Sequence, residues 1–180
     1  MSFRWFGAAL LSVAALGAVA ADKKTPEPPK KVKELLGDKA TAILAKATRV
    51  QAFRISAEET GKVGDDYIAG HRITAKGKKL GEEFAEKMTK TLFDEKTYDG
   101  QSAKCFEPGV AFRVWAGKEA VEVIICFRCT NFQVQVMGEK KDSDEVREFG
   151  FGPGLEPFLA LAREAFPDDR EIQGLKSKEK

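Results

Sequence analysis

A chain of 180 residues with 30 lysines and arginines against 28 aspartates and glutamates carries a formal charge of only +2 at pH 7. That balance, in a composition 32% charged and 43% hydrophobic, describes a mixed surface around one core and excludes the basic groove of a nucleic-acid-binding protein. One histidine and three cysteines leave little material for a histidine-paired nucleophile or a histidine-rich metal centre.

The N-terminus is the most informative segment. Arg4 is its one basic residue, Phe6 to Leu16 is almost wholly apolar, and Ala18-Val19-Ala20 forms a small-residue cleavage site before Ala21 and Asp22. The run from Phe6 to Ala20 is about 15 residues, short of the ~20 that a spanning helix needs. Residues 1–20 are therefore expected to be a signal peptide removed on export to a periplasmic or extracellular compartment, with no stable membrane insertion afterwards. No cysteine follows the apolar run to carry a lipid.

Residues 21–31 hold three prolines, at Pro26, Pro28 and Pro29, among charged side chains; such a stretch buries too little apolar surface to offset its chain entropy and reads as a disordered linker. Residues 32–175 follow as a single domain, with a disordered tail at 176–180. Lysines cluster at Lys23-Lys24, Lys30-Lys31 and from Lys76 to Lys79, beside Pro, Gly or the chain start and without interleaved aromatics, so they read as solvated and not as a base-stacking surface.

Leu36, Ala40, Ile43 and Ala47 recur at helical spacing, with a break at Gly37 and Asp38 as the cap of the second part. Arg49 to Ser56 reads as a strand, Ala57 to Asp66 as a loop and Tyr67 to Ala75 as a second strand ended by Gly77. Lys78 to Phe93 carries the stripe Leu80, Phe84, Met88 and Leu92 of an amphipathic helix lying on a sheet. After a polar connection from Asp94 to Lys104, Val110, Phe112 and Val114 alternate with Ala111, Arg113 and Trp115.

Gly117-Lys118 turns the chain into Val121 to Phe127, apolar on both faces after Glu122 and hence the expected central strand, with Phe127 on its core face. Phe132, Val134 and Val136 alternate with Gln133 and Gln135, as in a strand with one wet face. A charged turn from Gly138 to Asp144 precedes an edge strand over Val146 to Phe151. Leu155, Phe158, Leu159, Ala162 and Phe166 form a last helical stripe, and Asp168 with Glu171 resembles a capping box for a final turn. Strands joined by short turns pair antiparallel, so the expected class is α+β: an antiparallel sheet of about five strands with helices packed on one face.

Chemistry gathers around Cys105, Cys126 and Cys129. If the hairpin turns at Gly117-Lys118, position 105 falls opposite 129 or 130. An exported chain favours a disulfide from Cys105 to Cys129 or Cys126, closing a loop of ~20 residues worth about 3 kcal/mol in the chain-entropy view. One thiol is left over. A direct Cys126–Cys129 bond requires a turn, because three residues of extended strand span ~10 Å and a disulfide tolerates less than ~7 Å between Cα atoms.

A thiol-redox site would use the same C-x-x-C spacing, but Cys126 reads as strand, without the helix N-terminus that lowers a thiolate pKa; Arg128 is the only local cation. A zinc site would take Cys105, Cys126 and Cys129 with His71 as fourth ligand. No histidine follows Cys129 to make a c-type haem attachment.

No G-x-S-x-G elbow, H-E-x-x-H helix or P-loop is present. Asp142-Ser143-Asp144-Glu145 lacks the glycine and the distal glutamate of a calcium loop. Asp65-Asp66 and Asp168-Asp169 read as loop and cap carboxylates. The elements Cys-Phe-x-Pro-Gly from Cys105 and Ile-Cys-Phe-x-Cys ending at Cys129 resemble those of uncharacterised exported bacterial proteins; the resemblance implies that the cysteines and the hairpin form one unit, and it implies no activity. The expectation is an exported, non-catalytic module that binds an extracytoplasmic protein or ligand, holds a disulfide and needs no cofactor, with a thiol-redox or zinc-dependent protein as the alternative.

Overall fold

The computed structural model describes residues 26–98, 105–138 and 147–176. The expected signal peptide, the linker up to residue 25, residues 99–104 of the polar connection, the charged turn after Gly138 with the start of the edge strand at Val146, and the last four residues lie outside them.

Two short helices, α1 (Lys30–Leu36) and α2 (Asp38–Ala45), meet at Gly37, whose φ of 88° lets the chain turn between them. Gly37, not Asp38, is thus the cap, and Asp38 is the first helical residue. The long strand β1 (Arg49–Glu59) follows, then β2 (Tyr67–Ile68) and β3 (His71–Leu80), the helix α3 (Glu82–Phe93) and a 3-10 turn over Glu95–Thr97. The strands β4 (Val110–Ala116), β5 (Glu119–Cys126), β6 (Asn131–Val136) and β7 (Arg147–Gly150) lead to α4 (Leu155–Ala165) and α5 (Arg170–Gly174). Asp169, rather than Asp168, caps α5, its carboxylate accepting from the backbone N–H of Glu171 and Ile172.

Among the described residues, all pairings are antiparallel in one sheet of seven strands, ordered β2-β3-β1-β4-β5-β6-β7. The expected class holds, but the count of about five does not. The stretch from Tyr67 to Ala75 is two strands, because Ala69 (φ 49°) and Gly70 (φ 82°) fold it into a tight turn that pairs Ile68 with His71. β3 also runs past Gly77 to Leu80 instead of giving way to helix. Gly77 sits beneath the Phe166 ring, where a Cβ would come within 2.6 Å of it. The glycine permits a close approach; it does not end the strand. Lys76, Lys78 and Lys79 lie on this outer strand beyond the reach of β2, where charge discourages pairing with another chain.

The alternation of β1, β4, β5 and β6 sorts the sheet into two faces. Val50, Val114, Val121 and Val136 form one cross-strand row, and Ala52, Phe112, Val123 and Val134 the next. These rows meet Leu36, Ile43, Phe84, Met88, Phe158 and Ala162 of the helices in the main core. At its centre Phe132 is fully buried with its ring centroid 5.4–5.9 Å from those of Tyr98, Phe149, Phe151 and Phe158. Removing that ring strips the cluster of its shared partner. Phe132→Ala is expected to cost about 3–5 kcal/mol; a urea midpoint equivalent to a loss below about 1 kcal/mol would contradict this packing.

Candidate functional site

The second face of the sheet carries the features open to function. Arg49, Trp115, Ala120 and Met137 form its first row, since Arg49 pairs with Trp115, Trp115 with Ala120, and the Met137 amide donates to the Ala120 carbonyl at 2.9 Å. Gln51, Arg113, Glu122 and Gln135 form the second; Phe53, Ala111, Ile124, Gln133 and Glu148 the third. Cys126 and Asn131 belong to the fourth.

The second row is held by one buried carboxylate. Glu122, only 4% exposed, accepts from Arg113 at 2.7–2.8 Å on Oε1. Its Oε2 accepts from the Gln135 amide and from the backbone N–H of Ala69, each at 2.8 Å. Arg113 in turn donates to the Tyr67 carbonyl at 3.2 Å. The turn at Ala69 is therefore tied down across the sheet face. Ile68, carried with it, closes a second small core with Phe53, Ile55, Ala111 and Ile124, against which Phe106 also packs.

The first row lies beyond this roof. Met137 is 45% exposed, the Trp115 indole is half-buried, and the Arg49 guanidinium lies 4.4 Å from the indole centroid. On the helix side, a groove of about 720 Å3 runs between Pro26, Leu44, Ala47 and Phe93, with Glu82 and Glu86 on its rim. Neither the roof nor the groove has a local signature in the sequence. The one hint was a glutamate inside the most apolar strand.

At the other end of the second face stand the cysteines. β5 ends at Cys126, and residues 127–130 turn the chain into β6, which pairs Cys126 with Asn131. Phe127 thus belongs to the turn and not to the central strand. It still packs on the main core, edge-on to Phe151 at 6.2 Å. Thr130 takes the left-handed conformation (φ 53°), unusual for a β-branched residue. Its hydroxyl donates to the Cys129 carbonyl at 2.7 Å, and its own carbonyl accepts from the Phe151 amide at 2.8 Å.

This turn folds Cys129 back so that its N–H donates to the Cys126 sulfur at 3.2 Å. The segment before β4 runs alongside: the Gly109 amide donates to the Ile125 carbonyl, and Glu107 pairs with Arg128 at 2.8 Å. Cys105 is thereby brought into side-chain contact with Cys129, as counting along the hairpin predicts. All three thiols are free in this structure; Cys105 is exposed, while Cys126 and Cys129 are buried.

The contact with Cys129 pushes the Cys105 thiol up from its ordinary pKa, with burial adding to it. Burial, foremost, pushes Cys129 up as well. Both directions oppose what a nucleophilic thiolate requires. Arg128, the expected cation, is engaged by Glu107.

His71 is not drawn to the cysteines. It stands on β3 opposite Glu59, its Nδ1 3.0 Å from the Ser56 carbonyl, with β1 and β4 between β3 and β5. Among the described residues, no group of three or more His, Cys, Asp or Glu side chains is arranged to hold a metal ion, and no helix is long and apolar enough to cross a membrane. No family model, curated protein or solved structure matches the chain.

Two outcomes follow from this geometry. Glu122→Ala strands the Arg113 guanidinium and the Ala69 amide together, so unfolding free energy should fall by about 3–5 kcal/mol; a change within experimental error would mean that the carboxylate holds nothing. In the fully reduced protein, Cys105 should react with iodoacetamide at pH 8 more slowly than an ordinary exposed thiol, because only the thiolate attacks. The fold favours the protonated form, so that contribution to stability is fully present below the ordinary thiol pKa and is lost as pH rises from there through the raised one. Reduced protein that gains stability between pH 8 and 10 would reverse the sign.

Proposed function

We propose that this chain is an exported, non-catalytic binding module whose Cys105 and Cys129 are joined in the mature protein, and whose partner is an extracytoplasmic protein seated on the first row of the second sheet face. The observation that carries this reading is the row itself. Arg, Trp and Met are the side chains enriched at the centres of protein interfaces, and here Arg49 lies over Trp115 on paired strands while Met137, one residue past β6, stands across Ala120 from it. The part of that face over Phe53, Ala111 and Ile124 is closed by the turn at Ala69 and by Phe106.

The disulfide fits the same reading. On export, Cys105 and Cys129 give up two protons, and their two electrons pass to the disulfide oxidant of that compartment. The bond fastens the segment before β4 to the turn after β5, where the Glu107–Arg128 ion pair and one backbone hydrogen bond already hold it.

A photoreactive residue at position 137 of the exported protein tests the surface. It should yield one discrete protein adduct, and Trp115→Ala should abolish it, since truncating a central aromatic costs 2 kcal/mol or more of binding, about thirtyfold. The same probe in place of Val63, 91% exposed on the loop after β1, should not yield it. Equal adducts from both positions, or none from position 137, would contradict the assignment.

A further inference from the structure

The thiol left over from that disulfide is not remote from it. Cys129 touches both other cysteines: its sulfur contacts those of Cys105 and Cys126, and its N–H donates to the Cys126 sulfur at 3.2 Å. The turn over residues 127–130 removes the span that an extended C-x-x-C would impose. Cys129 thus meets either partner in a single backbone arrangement.

We infer that the three cysteines form a disulfide relay in which the bond migrates from Cys105–Cys129 to Cys126–Cys129 and releases Cys105 as a surface thiol, a modification site for partner or low-molecular-weight disulfides. This rests on the Cys105–Cys129 bond proposed above. In the migration, the Cys126 thiolate, its proton lost to water, attacks the Cys129 sulfur. The Cys126–Cys129 bond forms as the Cys129–Cys105 bond breaks, and the electron pair leaves on Cys105, which water protonates. No electrons are gained or lost overall, and no oxidant is needed.

Exposure gives the relay its direction of use. Cys126 is fully buried and Cys129 6% exposed, so neither meets an external disulfide while Cys105 does. Once free, Cys105 no longer faces a Cys129 thiol, the foremost cause of its raised pKa in the reduced protein, and its thiolate can attack a disulfide of that external class, joining one half and expelling the other as a thiolate. From the unmodified state the migration also runs backwards: the Cys105 thiolate attacks the Cys129 sulfur, the Cys105–Cys129 bond forms and the electron pair leaves on Cys126; a modified Cys105 must first be released by an external thiol.

The test uses the full exported protein, oxidised and unmodified. Peptide mapping after acid quench, which halts exchange, should show Cys105 joined to Cys129 and Cys126 free. Incubation at pH 8 with iodoacetamide should then place the label on Cys105 and the bond between Cys126 and Cys129, at a rate that stops rising once the reagent is in excess. Cys126→Ala should slow labelling of Cys105 at least about tenfold.

Label on Cys126, or a Cys105–Cys129 bond unchanged after a day at pH 8, would overturn the relay and leave the disulfide standing. Three free thiols, or a different bond in the quenched map, would overturn the disulfide itself and the relay with it.

Discussion

The Glu122 carboxylate is the one group on which the second face of this sheet depends. A charge taken out of water is costly unless its lone pairs are filled, and Glu122 fills them from three directions: Arg113 on β4, Gln135 on β6 and the amide of Ala69. Two of these are cross-strand neighbours that the register supplies. The third comes from a segment 53 residues away in sequence. The contact fixes where the turn after β2 must lie, and with it the place of Ile68 and of the small core beneath it.

That arrangement divides the face into a covered and an uncovered part. Over Phe53, Ala111 and Ile124 the chain covers itself, with Ile68 from one side and Phe106 from the other. Phe106 adjoins Cys105, so the cover and the thiol cluster share a backbone segment, held by the Glu107–Arg128 pair. Over Arg49, Trp115 and Met137 the described chain offers no such cover. The helices have no part in any of this, because their apolar stripes are spent on the opposite face.

Much of the fold is legible in the residues. The stripes of α3 and α4 and the alternation in β4 and β6 read directly as helix and strand, because burial on one side leaves a period of 3.6 or 2 in the sequence. Counting from Gly117-Lys118 places Cys105 by Cys129, since a tight hairpin fixes register. What escaped has physical reasons. The turn after Cys126 contains no glycine, proline or asparagine; Thr130 adopts a positive φ held by tertiary hydrogen bonds. The division of Tyr67 to Ala75 has a local mark in Gly70, but it also rests on Ala69 doing the same as Thr130, with its amide on Glu122. Long-range contacts of that kind leave no local pattern.

Native-state hydrogen exchange of the Ala69 amide tests the role of Glu122 most directly. If the carboxylate joins the turn to the sheet, the Ala69 amide should open only with the whole domain, sharing the exchange free energy of Val123 and Ile124 in β5. Exchange of Ala69 several kcal/mol easier than that of the β5 amides would mean that the turn opens by itself, and would contradict the account.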